Sequence, residues 1–340
     1  GMPVDVPHRE EDDTTVCLVS PVVELLSAMH FICRERHKRF DPVLSKGLES
    51  KLSERSRQTV NILSTQNWPG MSHLEFSLAL EEFIEPDVFR ERLLAMDIEE
   101  FLFINFNHET PKEKLAAIRK NPALFNDFYD NLSWIAGGDK KTIEYVLFRA
   151  EEYREDLAVL LDDLNTDLFW DKFNELKPAY ESALAMVEEK LERDDPFEVM
   201  VEIRGSYMEK KPYARHLFIP SYFLHHDNII CTVDDTIALM FNINWSLRGG
   251  AEPKDFVEIF KALSDPTRVE ILRQIIHKPV YGKVLSSRLG ITGATVSRHL
   301  AILRQADIVE EERRDGVKYF KLKQEPLNRA VQSLEDFLLG

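Results

Sequence analysis

The sequence contains few cysteines and no long apolar run. Cys17, Cys33 and Cys231 lie far apart and form no CxxC pair, so neither a disulfide framework nor a thiolate zinc site is encoded. A reducing cytoplasm suits this cysteine usage. No uninterrupted apolar stretch approaches the roughly 18 residues of a membrane span, and the acidic first residues do not resemble a signal peptide. We therefore expect a cytoplasmic protein that does not enter a membrane.

The motifs of common enzyme sites are also missing. A methyltransferase fusion would need a glycine-rich turn between a strand and a helix. Residues 1–195 contain only Gly47, Gly70, Gly137 and Gly138 after Gly1, and none of them follows a convincing strand. No GxSxG, HExxH or GxxxxGK motif occurs. We predict that the protein is not an enzyme and needs no cofactor, and a fused enzyme of an unrecognised type remains an alternative.

Negative charge predominates, but it is unevenly distributed. The net charge of −16 over 340 residues argues, taken whole, against binding to nucleic acid. Residues 255–340, however, contain 14 Lys and Arg against 12 Asp and Glu, a net charge of +2, whereas residues 1–254 contain 29 against 47, a net charge of −18. The acidity belongs to the larger N-terminal region.

The N-terminal region begins with a tail and continues at helical spacing. Residues 1–13 are acidic and aperiodic, and we expect them to form a disordered tail. From there to about residue 195 the apolar residues recur with the period of amphipathic helices, including helices over 140–164 and 178–193. The sequence therefore predicts a mainly α fold.

Runs of β-branched and aromatic residues replace this spacing between about residues 197 and 245. These runs are FEVMVEI (197–203), HLFIPSYFL (216–224), NIICTV (228–233) and TIALMFNI (236–243). Turn residues separate them, which predicts a small antiparallel β-sheet at the end of a mostly helical domain, residues 14–247, for sensing or oligomerisation. The Gly and Pro residues of RGGAEP (248–253) are typical of a domain boundary.

Residues 254–340 have the pattern of a helix-turn-helix. A short helix from about Val280 to Arg288 ends at Gly290, which suits a tight left-handed turn. Thr292 then caps a helix that runs to about residue 306. Two short helices joined at a glycine are typical of this motif.

The second of these helices has two distinct faces. At 100° per residue Val296, Leu300 and Leu303 form its core face. The opposite side presents Ala294, Ser297, Arg298 and Ala301, with Thr295 and Ile302 toward one edge. Small residues would let this helix approach base edges, while an arginine can bind guanine or phosphate and hydroxyls can donate to either. His299 lies nearer the core edge, which favours packing or a phosphate contact over base reading.

The segment IVEEERRDGVKYFKL predicts two strands around an Asp-Gly hairpin turn. Arg313, Arg314 and Lys318 crowd its tip, as in a wing that holds the DNA backbone. The glutamate run 310–312 would repel phosphate, so we expect it to face away from DNA.

These motifs together resemble the winged-helix domain of ArsR-family bacterial regulators. The resemblance rests on ALSDPTRVEIL (262–272), TGATVSRHLAILRQADIV (292–309) and RRDGVKYF (313–320), and it covers about a quarter of the chain. It implies a homodimer through helices near 255–264 and 326–338 that binds a pseudo-palindromic DNA operator, usually as a repressor. It assigns DNA contacts to two sets of residues. They are Thr292, Thr295, Ser297 and Arg298 in the recognition helix, and Arg313, Arg314 and Lys318 in the wing.

Two observations argue against metal binding. The family's metal sensors place cysteines in the helix before the turn or histidines in the last helix, and this sequence has neither. In the N-terminal region His216, His225, His226 and Cys231 could suggest a site, but adjacent histidines in a strand point to opposite faces. We predict no metal, and whether these four residues bind anything is left open.

The sequence thus favours a cytoplasmic regulator. In this hypothesis the N-terminal domain senses a small molecule or a partner, or widens the dimer, while the winged helix binds an operator in double-stranded DNA. The alternative from another class is an interaction protein whose winged helix binds another protein and not DNA.

Overall fold

The computed structural model describes residues 4–5, 14–34, 38, 40–67, 72–133, 135–205, 208–224, 228–244 and 253–339. The chain divides into two compact units, residues 1–246 and 247–340. Both consist mainly of α-helices with small sheets, which confirms the predicted mainly α class. Of the predicted linker RGGAEP, only Pro253 lies among the described residues. Within the described part of the chain, no helix is long and apolar enough to cross a membrane.

Helices make up most of the first unit. They are α1 (Pro21–Ile32), α2 (Pro42–Ser50), α3 (Glu54–Ser64), α4 (Glu75–Ala79), α5 (Pro86–Ala95), α6 (Ile98–Asn105), α7 (Lys112–Lys120), α8 (Phe125–Asp130), α9 (Lys140–Phe148), α10 (Ala150–Leu164), α11 (Asp167–Glu175), α12 (Lys177–Leu191) and α13 (Pro196–Arg204). Every residue of α1 is buried, so this helix runs through the core. Its start is fixed by Ser20, whose Oγ accepts a hydrogen bond from Val23 N, and by the proline that follows.

One mixed sheet completes the first unit. Its strands are β1 (Val4–Asp5), β2 (Thr14–Cys17), β3 (Arg215–Ser221), β4 (Ile229–Val233) and β5 (Thr236–Asn242), in the spatial order β1-β2-β3-β5-β4. The prediction of an antiparallel sheet is wrong, because β3 pairs in parallel with both β2 and β5. The reason is that β4 lies outside β5 as its antiparallel hairpin partner, which leaves β5 running in the same direction as β3.

Two further predictions for this unit are wrong over short segments of the chain. The run FEVMVEI (197–203), predicted as a strand, lies in helix α13. Asp195 caps that helix by accepting from Phe197 N, and Gly205 ends it with φ 78°, so local capping outweighs the β-branched composition. The prediction of a disordered tail is wrong for Val4 and Asp5, which pair with β2. The rest of residues 1–13 lies outside the described residues.

The second unit packs five helices and a three-stranded sheet among its described residues. They are α14 (Val257–Leu263), α15 (Pro266–Ile275), β6 (Val280–Tyr281), α16 (Gly282–Leu289), α17 (Gly293–Gln305), β7 (Val309–Arg314), β8 (Val317–Leu322) and α18 (Gln324–Leu339). The strand order is β6-β8-β7, with antiparallel pairing throughout. The core lies between the sheet and helices α14 to α17. This is the architecture of a winged helix, as the sequence predicted.

Candidate DNA-binding site

The turn between α16 and α17 has the geometry that the sequence predicts. Gly290 ends α16 in the left-handed region with φ 65°, where a side chain would be strained. The Oγ of Ser286 donates a hydrogen bond to Ile291 O across the turn at 2.5 Å. Thr292 Oγ1 then accepts from Thr295 N at 3.2 Å and fixes the first turn of α17. The turn between the two helices is therefore fixed by residues no more than nine positions apart.

Helix α17 separates an apolar face from an exposed face. Val296, Leu300 and Leu303 are buried in the core of the second unit. Ala294, Ser297, Arg298 and Ala301, on the opposite side, are all exposed, and Thr295 is half-buried at the edge. The predicted division of the helix is confirmed residue by residue. The exposed face combines three small side chains with one long cation.

His299 does not belong to this face. It is 7% exposed and packs on the core side of α17. Of the two roles predicted for it, packing fits this position, whereas a phosphate contact would require the imidazole to leave the core. Thr292 also has a structural role, because its hydroxyl both caps the helix and lies 2.8 Å from Thr295 Oγ1.

The wing is a tight hairpin formed by β7 and β8. Arg314 pairs with Val317 across the turn, and Asp315 and Gly316 have φ values of 50° and 80°. Left-handed conformations at both central residues are those of a type I′ turn, which the Asp-Gly pair favours. The register of the two strands then decides which side chains share a face.

The three basic residues of the wing do not lie on one face. Arg313 and Lys318 are direct cross-strand partners and so share a face. Since neighbouring residues in a strand alternate, Arg314 lies on the other side, where it forms an ion pair with Glu312 and lies 5.4 Å from the ring centre of Tyr319. The wing therefore offers DNA two cations on one side and a third on the other.

Because side chains alternate between the two faces of a strand, the glutamate run 310–312 is divided between both faces of the wing. Glu310 and Glu312 share one face, and Glu310 pairs with Lys321 at 3.6 Å. Glu311 lies on the face of Arg313 and Lys318, with its carboxylate 3.2 Å from Lys318 Nζ and 3.4 Å from Arg304 Nη1. We expected the whole run to face away from DNA, and Glu311 lies on the face of the wing that carries two of its three predicted DNA-binding cations. Sequence reasoning also left Arg304 out of the site, although its position two turns after Ser297 places both on one side of α17.

Arg298 and Arg313 differ from the other cations of the site. Within the described ranges neither has an ion-pair partner, whereas Arg304, Arg314 and Lys318 all do. A phosphate or a guanine can reach these two guanidinium groups without first displacing a carboxylate. They are the cations of the site most available to DNA.

His216 and Cys231, the two described members of the four residues left open in the first unit, do not share a site. His216 and Cys231 are both buried, and the pairing register places them on opposite faces of the sheet, because Cys231 is paired with Ala238 while His216 is paired with Ile237. Burial raises the pKa of the Cys231 thiol well above its usual range. His225 and His226 lie outside the described residues. Among the residues with described side chains, no group of three His, Cys, Asp or Glu is placed to hold a metal ion.

A cleft in the first unit was not predicted. Its volume is about 630 Å³, and its walls come from α4, α6, the start of α7, and the edge strand β4. Asn107 and His108 follow α6 in the left-handed region, with φ 57° and 60°, and both line the cleft. Such conformations are costly for residues other than glycine and concentrate at functional sites. The lining residues are distant in sequence, so the only local signal was the Asn-His pair after a helix.

Paired charges line one side of this cleft. His108 Nε2 lies 2.6 Å from Glu75 Oε2, and this hydrogen bond raises the pKa of the imidazole. Lys112 forms an ion pair with Glu100 and lies 5.5 Å from the ring centre of Phe103. The opposite side, along β4, is largely apolar. The cleft can hold a small molecule with both a polar and an apolar part.

A buried polar cluster joins three elements of the first unit. Glu24 in α1 accepts hydrogen bonds from the hydroxyls of Tyr180 and Ser221 and from the backbone N–H of Tyr222, the last at 3.1 Å. Burial raises its pKa to about 7, and the hydrogen bonds oppose that shift. The cluster therefore links the core helix α1 to α12 and to the end of β3.

Comparison with known proteins places the second unit among helix-turn-helix proteins. Residues 263–312 match a family described as a helix-turn-helix domain. The chain is 29% identical over 80 residues to the transcriptional repressor SdpR of Bacillus subtilis (strain 168), which is 24% of this chain and 89% of that protein. It is 36% identical over 76 residues to the HTH-type transcriptional regulator KmtR of Mycobacterium tuberculosis (strain ATCC 25618 / H37Rv), which is 22% of this chain and 58% of that protein. These matches lie in the C-terminal part, and over that part the predicted resemblance to ArsR-family transcription regulators is confirmed.

Proposed function

We propose that the protein is a homodimeric repressor that binds an operator in double-stranded DNA through α17 and the wing. The observation that carries this proposal is the exposed face of α17, on which Arg298 stands among Ala294, Ser297 and Ala301. Three small side chains let the helix axis lie close to base edges. A guanidinium group with no ion-pair partner among the described residues can bind guanine through two hydrogen bonds. Thr295 and Ser297 add hydroxyls, and Arg313 reaches the backbone from the wing.

The apolar surface of α18 supports a dimer. Phe337 and Leu338 are exposed, and Phe256, just before α14, lies 5.7 Å from Phe337 between ring centres. Val331 extends the exposed apolar stripe along α18. A second copy of the chain would bury this stripe, and the two-fold axis would present two recognition helices to two operator half-sites.

We further propose that the first unit senses a small molecule in the cleft beside β4. The two left-handed residues and the His108–Glu75 pair support this role, because they hold polar groups at fixed positions on the wall of the cleft. The substitution Thr232→Trp places a bulky side chain in the cleft. It is expected to abolish the rise in unfolding temperature caused by any small molecule that also changes operator binding. A rise of equal size in the wild type and the variant would exclude the cleft as the binding site. The proposal includes no catalytic activity.

The test of DNA binding is the substitution Arg298→Ala. After selection of bound fragments from a random duplex pool, this variant is expected to lose about 1–3 kcal/mol of binding free energy for the selected operator at fixed salt. The matched control is Arg273→Ala in α15, which removes an exposed arginine outside both α17 and the wing and should bind as the wild type does. An unchanged affinity of Arg298→Ala, or no salt-dependent duplex binding by the wild type, would contradict the proposal.

A second candidate is a protein-binding winged helix that does not bind DNA. The observation in its favour is that Arg304, Arg314 and Lys318 all form ion pairs with glutamates of the wing. Absence of duplex binding at low salt, together with correct folding, would select this candidate over the first.

A further inference from the structure

We propose that Glu311 is an internal counterion that competes with DNA phosphate for Arg304 and Lys318, and that these two cations form a phosphate-binding pair between the recognition helix and the wing. The inference rests on the proposed DNA binding and adds to it a pair of contacts and the residue that weakens them. It follows from three features of the second unit: the contacts of Glu311, the positions of its partners, and their unequal exposure.

The carboxylate of Glu311 uses each oxygen for a different cation. Its Oε2 lies 3.4 Å from Arg304 Nη1, and its Oε1 lies 3.2 Å from Lys318 Nζ. One carboxylate thereby joins the last turn of α17 to the second strand of the wing. The arrangement has the form of a phosphate site, in which two cations from separate elements converge on oxygens of one anion.

Both cations occur where DNA backbone would pass. Arg304 follows Ser297 by seven residues, a rotation that leaves the two within about 20° of each other on α17. Lys318 is the cross-strand partner of Arg313 and shares its face of the wing. A duplex whose major groove receives the exposed face of α17 would bring a phosphate strand toward the space between this helix and the wing.

Exposure shows which group DNA would meet first. The side chains of Arg304 and Lys318 are 48% and 50% exposed, whereas that of Glu311 is 20% exposed. The cations therefore reach into solvent while the carboxylate lies beneath them. Ion pairs this exposed are weak, so a phosphate can displace Glu311, but the displaced carboxylate then repels that phosphate. The net effect is a sequence-independent reduction of DNA affinity.

The test is the substitution Glu311→Gln in the full-length protein, which keeps the shape of the side chain and removes its charge. Each freed cation that neutralises a phosphate steepens the plot of log binding constant against log salt concentration by about 0.9. One such contact makes binding at 0.15 M salt roughly fivefold tighter. We expect affinity to rise by about five- to thirtyfold, for the selected operator and an unrelated duplex alike. Phosphate contacts carry no base sequence, so the ratio of the two affinities stays the same.

Glu310→Gln is the matched control. It makes the same change in net charge one residue away, but Glu310 pairs with Lys321 on the opposite face. Its salt slope should equal that of the wild type. The double variants add a second check: Lys318→Ala in the Glu311→Gln background should remove part of the gain, and Lys321→Ala in that background should keep it. Equal thermal unfolding midpoints show that all variants are folded.

The possible outcomes separate this inference from the proposed function. Equal gains in Glu311→Gln and Glu310→Gln, an unchanged slope in Glu311→Gln, or weaker binding by that variant would overturn the counterion role. If Arg298→Ala still loses operator binding in those cases, the proposed function stands without it. If neither wild type nor any variant binds duplex at low salt, both proposals are wrong.

Discussion

Ser221, at the end of strand β3, donates its hydroxyl to the carboxylate of Glu24 in helix α1, across a sequence separation of 197 residues. Tyr180 donates to the same carboxylate from α12. One acidic side chain thus connects the core helix, a late helix and the sheet. Because that side chain is fully buried, its ionisation is coupled to the stability of the first unit.

We predict that Glu24 makes the first unit less stable as pH rises from about 4.5 to 7. Burial raises its folded-state pKa from 4.5 to about 7, so the folded state holds a proton that the unfolded state releases in this range. The shift corresponds to about 3 kcal/mol of unfolding free energy. This stabilisation is complete below the unfolded pKa, falls as pH rises through the window, and is absent above the folded pKa. Urea unfolding at several pH values, followed by tryptophan fluorescence, measures it, because all four tryptophans precede residue 247.

The substitution Glu24→Gln should remove this part of the pH dependence. The exposed Glu198 serves as the control, and Glu198→Gln should keep the wild-type profile. Parallel profiles for wild type and Glu24→Gln would contradict the prediction.

We predict that His108 stabilises the first unit at low pH. Its hydrogen bond to Glu75 raises the folded-state pKa, so the stabilisation is complete below the unfolded value of about 6.5 and disappears as pH rises through the folded value. NMR titration of the imidazole should show a pKa above 6.5 in the wild type and a lower one in Glu75→Gln. The exposed His277 in the second unit is an internal reference, and its NMR signals at a fixed pH should be the same in both proteins. A His108 curve that does not respond to Glu75→Gln would contradict the pair.

We predict opposite effects of alanine at two glycines of the helix-turn-helix. Gly290 has φ 65° and Gly293 lies in helix α17, and a Cβ at either position would meet no atom within 4 Å. Backbone conformation alone therefore decides the result. Gly290→Ala should destabilise the second unit by about 1–2 kcal/mol, because L-residues avoid the left-handed region. Gly293→Ala should stabilise it by about 0.5–1 kcal/mol.

Hydrogen–deuterium exchange of peptides from residues 282–305 in the full-length protein measures both effects. The two variants control for each other, since each adds the same methyl group to an open position. Changes of the same sign would mean that backbone conformation does not determine the outcome.

The sequence predicted the second unit well because local features determine it. The Thr292 cap, the Gly290 turn and the spacing of Val296, Leu300 and Leu303 act within a few residues of one another, and all are confirmed. The faces of the wing could also have been predicted, since alternation from the Asp-Gly turn fixes them. The prediction that grouped Arg314 with Arg313 and Lys318 did so because all three are basic, and it ignored the alternation of side chains along a strand.

The first unit was less predictable because its pairings are not local. The order of its strands depends on contacts between residues about 200 positions apart, which no periodicity records. Residues 197–203 contain apolar residues that fit a helix as well as a strand, and only the caps at Asp195 and Gly205 distinguish the two. The cleft needs three distant segments to meet before it exists.

The parallel pairing of β2 with β3 has a consequence for synthesis on the ribosome. Arg215, the partner of Thr14, is translated roughly 200 residues after it, about 10–40 s at 5–20 residues per second. The sheet of the first unit cannot close until then, and β5, which pairs with β3, is translated later still. The second unit is translated only after all five strands of this sheet, and it folds from local contacts. A newly made chain can therefore complete the sheet of the first unit before it gains the ability to bind DNA.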